Sequence, residues 1–302
     1  MVERDLAKVD VAGPTPVSRL IVYFQIILVS FIGFAACTPG GTSIIPSEDF
    51  DYNAPFAETA PVIDGKGNDP AWEKAEWKPI DQVWLGGGNA SQSNLTPPPA
   101  ADYSGRFKIV WTYDRLYYLV EIKDTLLVHG RDPYNHPEDD DCLELFINSN
   151  GLGGNHVNNN IAIAYHMKLD EKNAMDYVSG QSNSLPFQNE YIKRNHHLNY
   201  KIGNLDLTNK RKGIDGSCIY TWEVEMKIYP DTLPVNDNPD TTPPVVPIKL
   251  EEGKIMGFAV AYCNAGETGK REYFMGSVFI DGADKNLAYK DASVFAKLHL
   301  VK

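Results

Sequence analysis

The sequence predicts an all-β protein: an antiparallel, jelly-roll-like β-sandwich in a single folded domain. Three observations predict it. Sixteen Tyr are accompanied by 24 Gly and 20 Pro, and aromatic residues suit pleated surfaces while Gly and Pro make turns. Short segments alternate apolar and polar residues from about residue 60 to the end. Runs of good helix formers are scarce. With 43% apolar and 23% charged residues, the 302-residue chain can bury a sizeable core, which excludes disorder throughout. A net charge of −12 excludes ordinary nucleic-acid binding, which needs clustered Lys and Arg.

The elements follow in order. Phe107–Trp111 and Leu116–Ile122 flank Thr112-Tyr113-Asp114-Arg115 and read as a hairpin. Cys142–Asn148 alternates, with Leu143, Leu145 and Ile147 on one face and Cys142, Glu144 and Phe146 on the other. A loop rich in Asn and Gly, 148–160, leads to a strand over Ile161–Leu169. Ile219–Ile228 sets Trp222, Val224 and Met226 against Thr221, Glu223 and Glu225, and strands over Ile255–Cys263 and Val294–Val301 close the set. The Pro-rich segment 231–249 reads as a loop inside the domain.

The N-terminus reads as an export signal over 1–36. Arg19 precedes the apolar run Leu20–Phe34, which is short for a membrane-spanning helix, and Ala35-Ala36-Cys37 follows. Cysteine after a small pair resembles the bacterial lipobox, which implies lipidation of Cys37 and an outer-membrane lipoprotein of the cell envelope. Residues 1–18 are long for such a signal, so translation is expected to begin nearer Val17 or Leu20. Residues 37–59, rich in Pro, Gly, Ser and acidic groups, read as a flexible tether, and 60–302 as the sandwich. Three cysteines remain after processing: Cys142, Cys218 and Cys263. An odd number permits at most one internal disulfide, and no CxxC spacing signals zinc, so they read as structural.

Four segments carry a family resemblance. They are Val62-Ile63-Asp64-Gly65 with Asn68-Asp69-Pro70-Ala71-Trp72; Val110-Trp111-Thr112-Tyr113-Asp114 with Leu116-Tyr117-Tyr118-Leu119-Val120; Asp140-Asp141-Cys142-Leu143-Glu144-Leu145-Phe146; and Trp222-Glu223-Val224-Glu225 leading to Gly257-Phe258-Ala259-Val260. In this order, with a closing Asp291-Ala292-Ser293-Val294-Phe295, they resemble the family 9 carbohydrate-binding modules over nearly all of 60–301. The resemblance implies a β-sandwich that binds poly- or oligosaccharide without catalysis. Carbohydrate and, through Cys37, a membrane are then the expected partners; nucleic acid is not.

A sugar offers an apolar ring face and a rim of hydroxyls, so its site needs aromatic platforms and polar side chains. The resemblance places the glycan near Glu144, which stands at a matching position. The family's clamping Trp residues are replaced here: one region reads Pro137-Glu138-Asp139-Asp140-Asp141, with Tyr134 nearby, and the later one Tyr273-Phe274-Met275-Gly276-Ser277. Where the family often has Arg, this chain has Tyr165 and His166. The expected contacts are therefore Glu144, Asp141, His166, Tyr165 and Tyr134, with Trp84, beside Gly86-Gly87-Gly88, as either a stacking platform or a plug at the sandwich rim. No cofactor is expected; the acidic run offers Asp139 and Asp140 to calcium, a hard cation. Gly-x-Ser-x-Gly, His-Glu-x-x-His and phosphate-cradling loops are absent from the sequence, which argues against an enzyme. Two other readings stand beside sugar binding. One is a haem-b electron-transfer sandwich ligated through Met167, Met275 or His166; the other is an envelope scaffold that binds protein.

Overall fold

The computed structural model describes residues 51–87, 91–130, 137–157, 161–170, 173–176, 197–231 and 246–302. The strands are β1 (Tyr52–Pro55), β2 (Lys78–Pro79), β3 (Gln82–Leu85), β4 (Tyr103–Thr112), β5 (Arg115–Asp124), β6 (Cys142–Asn148), β7 (Ile163–Lys168), β8 (Asn173–Asp176), β9 (Leu198–Gly203), β10 (Ile219–Met226), β11 (Ile255–Ala265), β12 (Arg271–Gly276) and β13 (Ala296–Val301). They form two sheets. The larger runs β1-β13-β11-β6-β7-β8, with β12 also paired to β11 and β3 to β12; the smaller runs β2-β4-β5-β10-β9.

Alternation decides what each face buries. Leu143, Leu145 and Ile147 of β6 meet Ile109, Trp111, Tyr118, Val120, Trp222 and Val224 of the smaller sheet in one core between the sheets. The expected hairpin forms with a tight turn at Tyr113-Asp114, between Thr112 and Arg115. The predicted closing strand is shorter than expected. Residues Ala292–Val294 make a 3₁₀ turn whose Asp291 side chain accepts from the Ser293 amide, and β13 starts only at Ala296.

Both outer faces are covered as well. On the smaller sheet, Trp72, Ala75 and Ala57 pack on Val110, Tyr117 and Leu119. Glu223, on the face opposite Trp222, is fully buried beneath them. It accepts from the amides of Asp64 (3.1 Å) and Gly65 (2.7 Å) and from the Trp72 indole (3.2 Å). Gly65 has φ +83°, and a Cβ there would meet the Gly203 backbone at 2.5 Å, so only glycine lets this segment lie so close. The Val62-Ile63-Asp64-Gly65 and Trp72 motif thus works as a cover fastened by one carboxylate.

One boundary differs from expectation. The last part of the segment expected as a tether over 37–59 is folded instead: β1 pairs in parallel with β13 and buries Tyr52 and Ala54. Phe56 and Ala57 continue the pairing through backbone bonds to Val301 and Trp111. The segment 1–36 expected as a signal, Cys37 and most of the Pro-rich loop 231–249 lie outside the described residues. No helix among the described residues is long and apolar enough to cross a membrane.

Candidate functional site

The register brings Glu144 of β6 opposite His166 of β7 and Ala261 of β11, and Cys142 opposite Cys263. Glu144 Oε1 lies 3.3 Å from His166 Nδ1 and accepts from the Cys263 thiol at 2.8 Å. Cys142 Sγ lies 3.8 Å from His166 Nδ1. The Arg271 guanidinium reaches Cys263 Sγ at 3.3 Å and lies over the Phe274 ring. Sequence reasoning places Glu144 and His166 together, and they do meet. Their surroundings differ from the expected open sheet face: each is only 3% exposed. Cys142, Phe146, Cys263 and Phe274 around them belong to a second buried cluster that also takes in Trp84 and Ile280. Side chains so enclosed offer no hydroxyl-binding surface to solvent.

Three other expected contacts are also internal. Tyr165 points the opposite way from His166, into the core between the sheets, and its hydroxyl meets His197 Nδ1 at 2.7 Å. Trp84 is the plug and not the platform. It is 1% exposed, packs edge-on against Phe146 and Phe274, and donates to the Val278 carbonyl. A Cβ on Gly276 would strike its indole at 2.0 Å, so that glycine makes its room. Asp141, fully buried, accepts from the amides of Val128 (2.6 Å) and Ala265 (2.7 Å) and so joins the loop after β5 to the end of β11. Tyr134 lies outside the described residues.

The acidic run does not fit calcium. Asp140 Oδ2 is 2.6 Å from the buried Lys168 ammonium, a fixed cation in place of an added one. Asp139 turns instead to the Arg271 amide at 3.1 Å, whereas calcium needs six to eight converging oxygens. The haem reading finds no support in placement either. Met167 and Met275 are packed in the core between the sheets. His166 faces the other way from Met167, and a haem needs a wide apolar cavity.

A surface cleft forms instead where the strands of both sheets end. It encloses about 330 Å³ between the β5 end and the β11–β12 hairpin, within the usual size range of small-molecule sites. Tyr273 supplies an aromatic wall, Asn264 an amide, Arg211 a guanidinium, and Asp102, Asp124 and Glu272 carboxyl groups. A second cavity of about 350 Å³ adjoins it, lined by Val128 and Lys210 and sharing Leu126, Arg211 and Glu267. The Arg211–Glu267 ion pair (2.6 Å) belongs to the wall common to both. Asn264 continues the inward-facing row Val260-Tyr262 past the end of the core, which is why a polar residue stands there.

Asp124 forms the cleft floor. It accepts from the Leu126 amide (2.9 Å) and from Tyr262 Oη (3.3 Å) and Asn264 Nδ2 (3.4 Å). Burial pushes its carboxyl up to about 7, against the pull of those bonds. Asp141, behind the wall, is raised well above the carboxylate range by burial and then by Asp124. A carboxyl raised in the folded state contributes stability that is complete below its unfolded value of 3.8 and is lost as pH climbs to about 7. Asp124→Asn, whose side-chain oxygen can still accept from Leu126, is therefore expected to raise stability on the order of 2 kcal/mol at pH 8. At pH 4 it should change little. Denaturant midpoints of both proteins at the two pH values check this, and an equal effect at both would contradict it.

The fold and this geometry define a two-sheet β-sandwich domain with a polar cleft at one end. The chain belongs to the carbohydrate family 9 binding domain-like family, whose model matches residues 63–302. Among solved structures it is similar to a family 9 carbohydrate-binding module from Caldicellulosiruptor kristjanssonii in complex with cellotriose. Identity is 18% and the TM-score 0.55, over 83% of this chain and 93% of that one. A structure of a family 9 module from the same organism, in complex with glucose, matches with 18% identity and TM-score 0.54, over 82% and 95%. No curated protein sequence matches.

Sequence reasoning missed the cleft except at one point. Tyr273 lies in the region where the resemblance places the family's later clamping Trp. Asn264, Arg211 and Asp124 carry no local signal that sets them apart from other polar strand ends.

Proposed function

We propose that this protein is a non-catalytic carbohydrate-binding protein that takes its glycan in the end cleft, with Tyr273 against a ring face. Asn264, Asp102, Glu272 and Arg211 then bond the hydroxyls. The observation that carries this reading is the cleft's composition: one aromatic wall opposed by carboxyl, amide and guanidinium groups, which is the chemistry a sugar demands. Membership of a carbohydrate-binding family supports it, as do the sugars in the two solved relatives. The adjoining cavity gives room beyond a single ring, which favours an oligosaccharide. Glu144 and His166 stand behind this site as buried framework.

The protein is held at the bacterial envelope by a lipid on Cys37, with the following residues as tether. Palmitate labelling that persists in Cys37→Ser would remove the anchor from this reading. A glycan array spanning plant, algal and host glycans tests the binding. Saturable binding that falls at least about tenfold in Tyr273→Ala, with the fold retained, is expected. A well-folded sample that binds nothing across the array would leave the scaffold reading.

A further inference from the structure

We propose that Cys142, Glu144, His166 and Cys263 form a tetrahedral binding site for one thiophilic divalent cation, zinc by the chemistry of the donor set. This inference does not rest on the carbohydrate reading and concerns a different part of the molecule. No CxxC spacing announces such a site, but sheet register does the same work. Cys142 and Glu144 are two apart on β6 and so share its outer face. The antiparallel pairings set Cys263 beside Cys142 and His166 beside Glu144. Four donors from three adjacent strands thus form one patch.

The distances suit a single ion. One ligand atom each from Cys142, Glu144 and His166 all lie within 4.8 Å of one another. The His166–Glu144 and Cys142–His166 separations are 3.3 and 3.8 Å, and Cys263 Sγ is 2.8 Å from Glu144 Oε1. Zinc with bonds of about 2.0–2.3 Å in tetrahedral geometry has ligand–ligand edges of about 3.3–3.8 Å. Cys263 lies outside the mutual spacing of those three and too close to Glu144 for a shared ion, so it must move away from Glu144 to complete the tetrahedron. Two thiolates, a carboxylate and an imidazole are borderline-soft donors that suit zinc and not calcium or magnesium.

Charge gives an independent argument. Two thiolates and one carboxylate carry three negative charges, a divalent ion supplies two positive ones, and Arg271 at Cys263 Sγ supplies the third. Arg271 thus offsets the net negative charge left on the loaded cluster, which lowers the cost of burying it. Cysteine binds zinc as the thiolate, so loading releases protons from the cysteines. Because Cys142 and Cys263 are wholly buried and His166 and Glu144 nearly so, loading belongs to folding and not to a later surface encounter.

The experiment uses the tag-free full chain, produced in zinc-supplemented medium and exhaustively dialysed. Elemental analysis should find about one zinc per chain. After unfolding under reducing conditions, zinc removal and refolding with cobalt(II), the chain should show an intense thiolate-to-cobalt charge-transfer band and the visible bands of tetrahedral cobalt. The double variant Cys142→Ser, Cys263→Ser should lose the charge-transfer band and bind zinc at least about 100-fold more weakly, while Cys218→Ser keeps both. Arg271→Met should weaken zinc about 10–100-fold with the band retained. Wild-type chain with a native far-UV spectrum but neither zinc nor a cobalt band would overturn the proposal, whatever becomes of the variants. So would a native Cys142–Cys263 disulfide in mass spectrometry, or a band indifferent to the double substitution.

Discussion

Glu223→Ala is expected to lower the stability of the folded chain by about 4 kcal/mol or more. The carboxylate is fully buried and accepts three hydrogen bonds, from the Asp64 and Gly65 amides and the Trp72 indole. Removing it leaves three donors without their acceptor on a covered sheet face. A buried group so stranded costs about 1–3 kcal/mol, and the lost side-chain volume adds to that. In a chain of this size 4 kcal/mol corresponds to a fall of about 8–16 °C in melting temperature. Because the carboxylate fastens residues 57–77 over the smaller sheet, proteolysis should also begin within that segment. Glu223→Gln keeps one acceptor oxygen and should lose less. A variant as stable as wild type would show that the cover is held by its packing and by the Lys108 and Tyr52 bonds without the carboxylate.

Trp84→Ala is expected to cost about 3–5 kcal/mol, the usual effect of emptying a large aromatic site in a core. The indole fills the space left by Gly276, contacts Phe146 and Phe274, and satisfies the Val278 carbonyl. Its neighbours cannot collapse into the gap without moving β3 and β12, which pair beside it. The loss should appear in urea denaturation. A cost below about 1 kcal/mol would mean that the ring is peripheral, as an exposed platform would be.

Most of the sandwich is legible in alternation. Leu143-Leu145-Ile147 and Trp222-Val224-Met226 point inward as their period demands, and the opposite residues reach the outer faces. β1 is not legible. It is four residues long, ends in proline, pairs in parallel with a strand about 246 positions away, and is held otherwise by Tyr52 against β4, so its stability comes from distant partners. Alternation also misleads about exposure. It places Glu144 and His166 correctly on the face away from the core, but in this fold that face is buried too. A period of two tells which residues share a side; it does not tell what covers that side. The cleft is harder still, since Asp102, Asp124, Arg211, Asn264 and Tyr273 come from separate segments that only the fold brings to one end of the sheets.

The most direct test of the function is calorimetric titration of the array's strongest oligosaccharide into the wild-type chain and into Asn264→Ala, at constant pH and with matched far-UV spectra. Asn264 is chosen because it lines the cleft without holding the core, its amide meeting the Asp124 carboxyl at 3.4 Å. Saturable one-to-one binding by wild type, weakened at least about tenfold in Asn264→Ala, as expected for loss of a hydrogen bond to the ligand, is the expected result. Equal affinity for both proteins would contradict the cleft as the carbohydrate site.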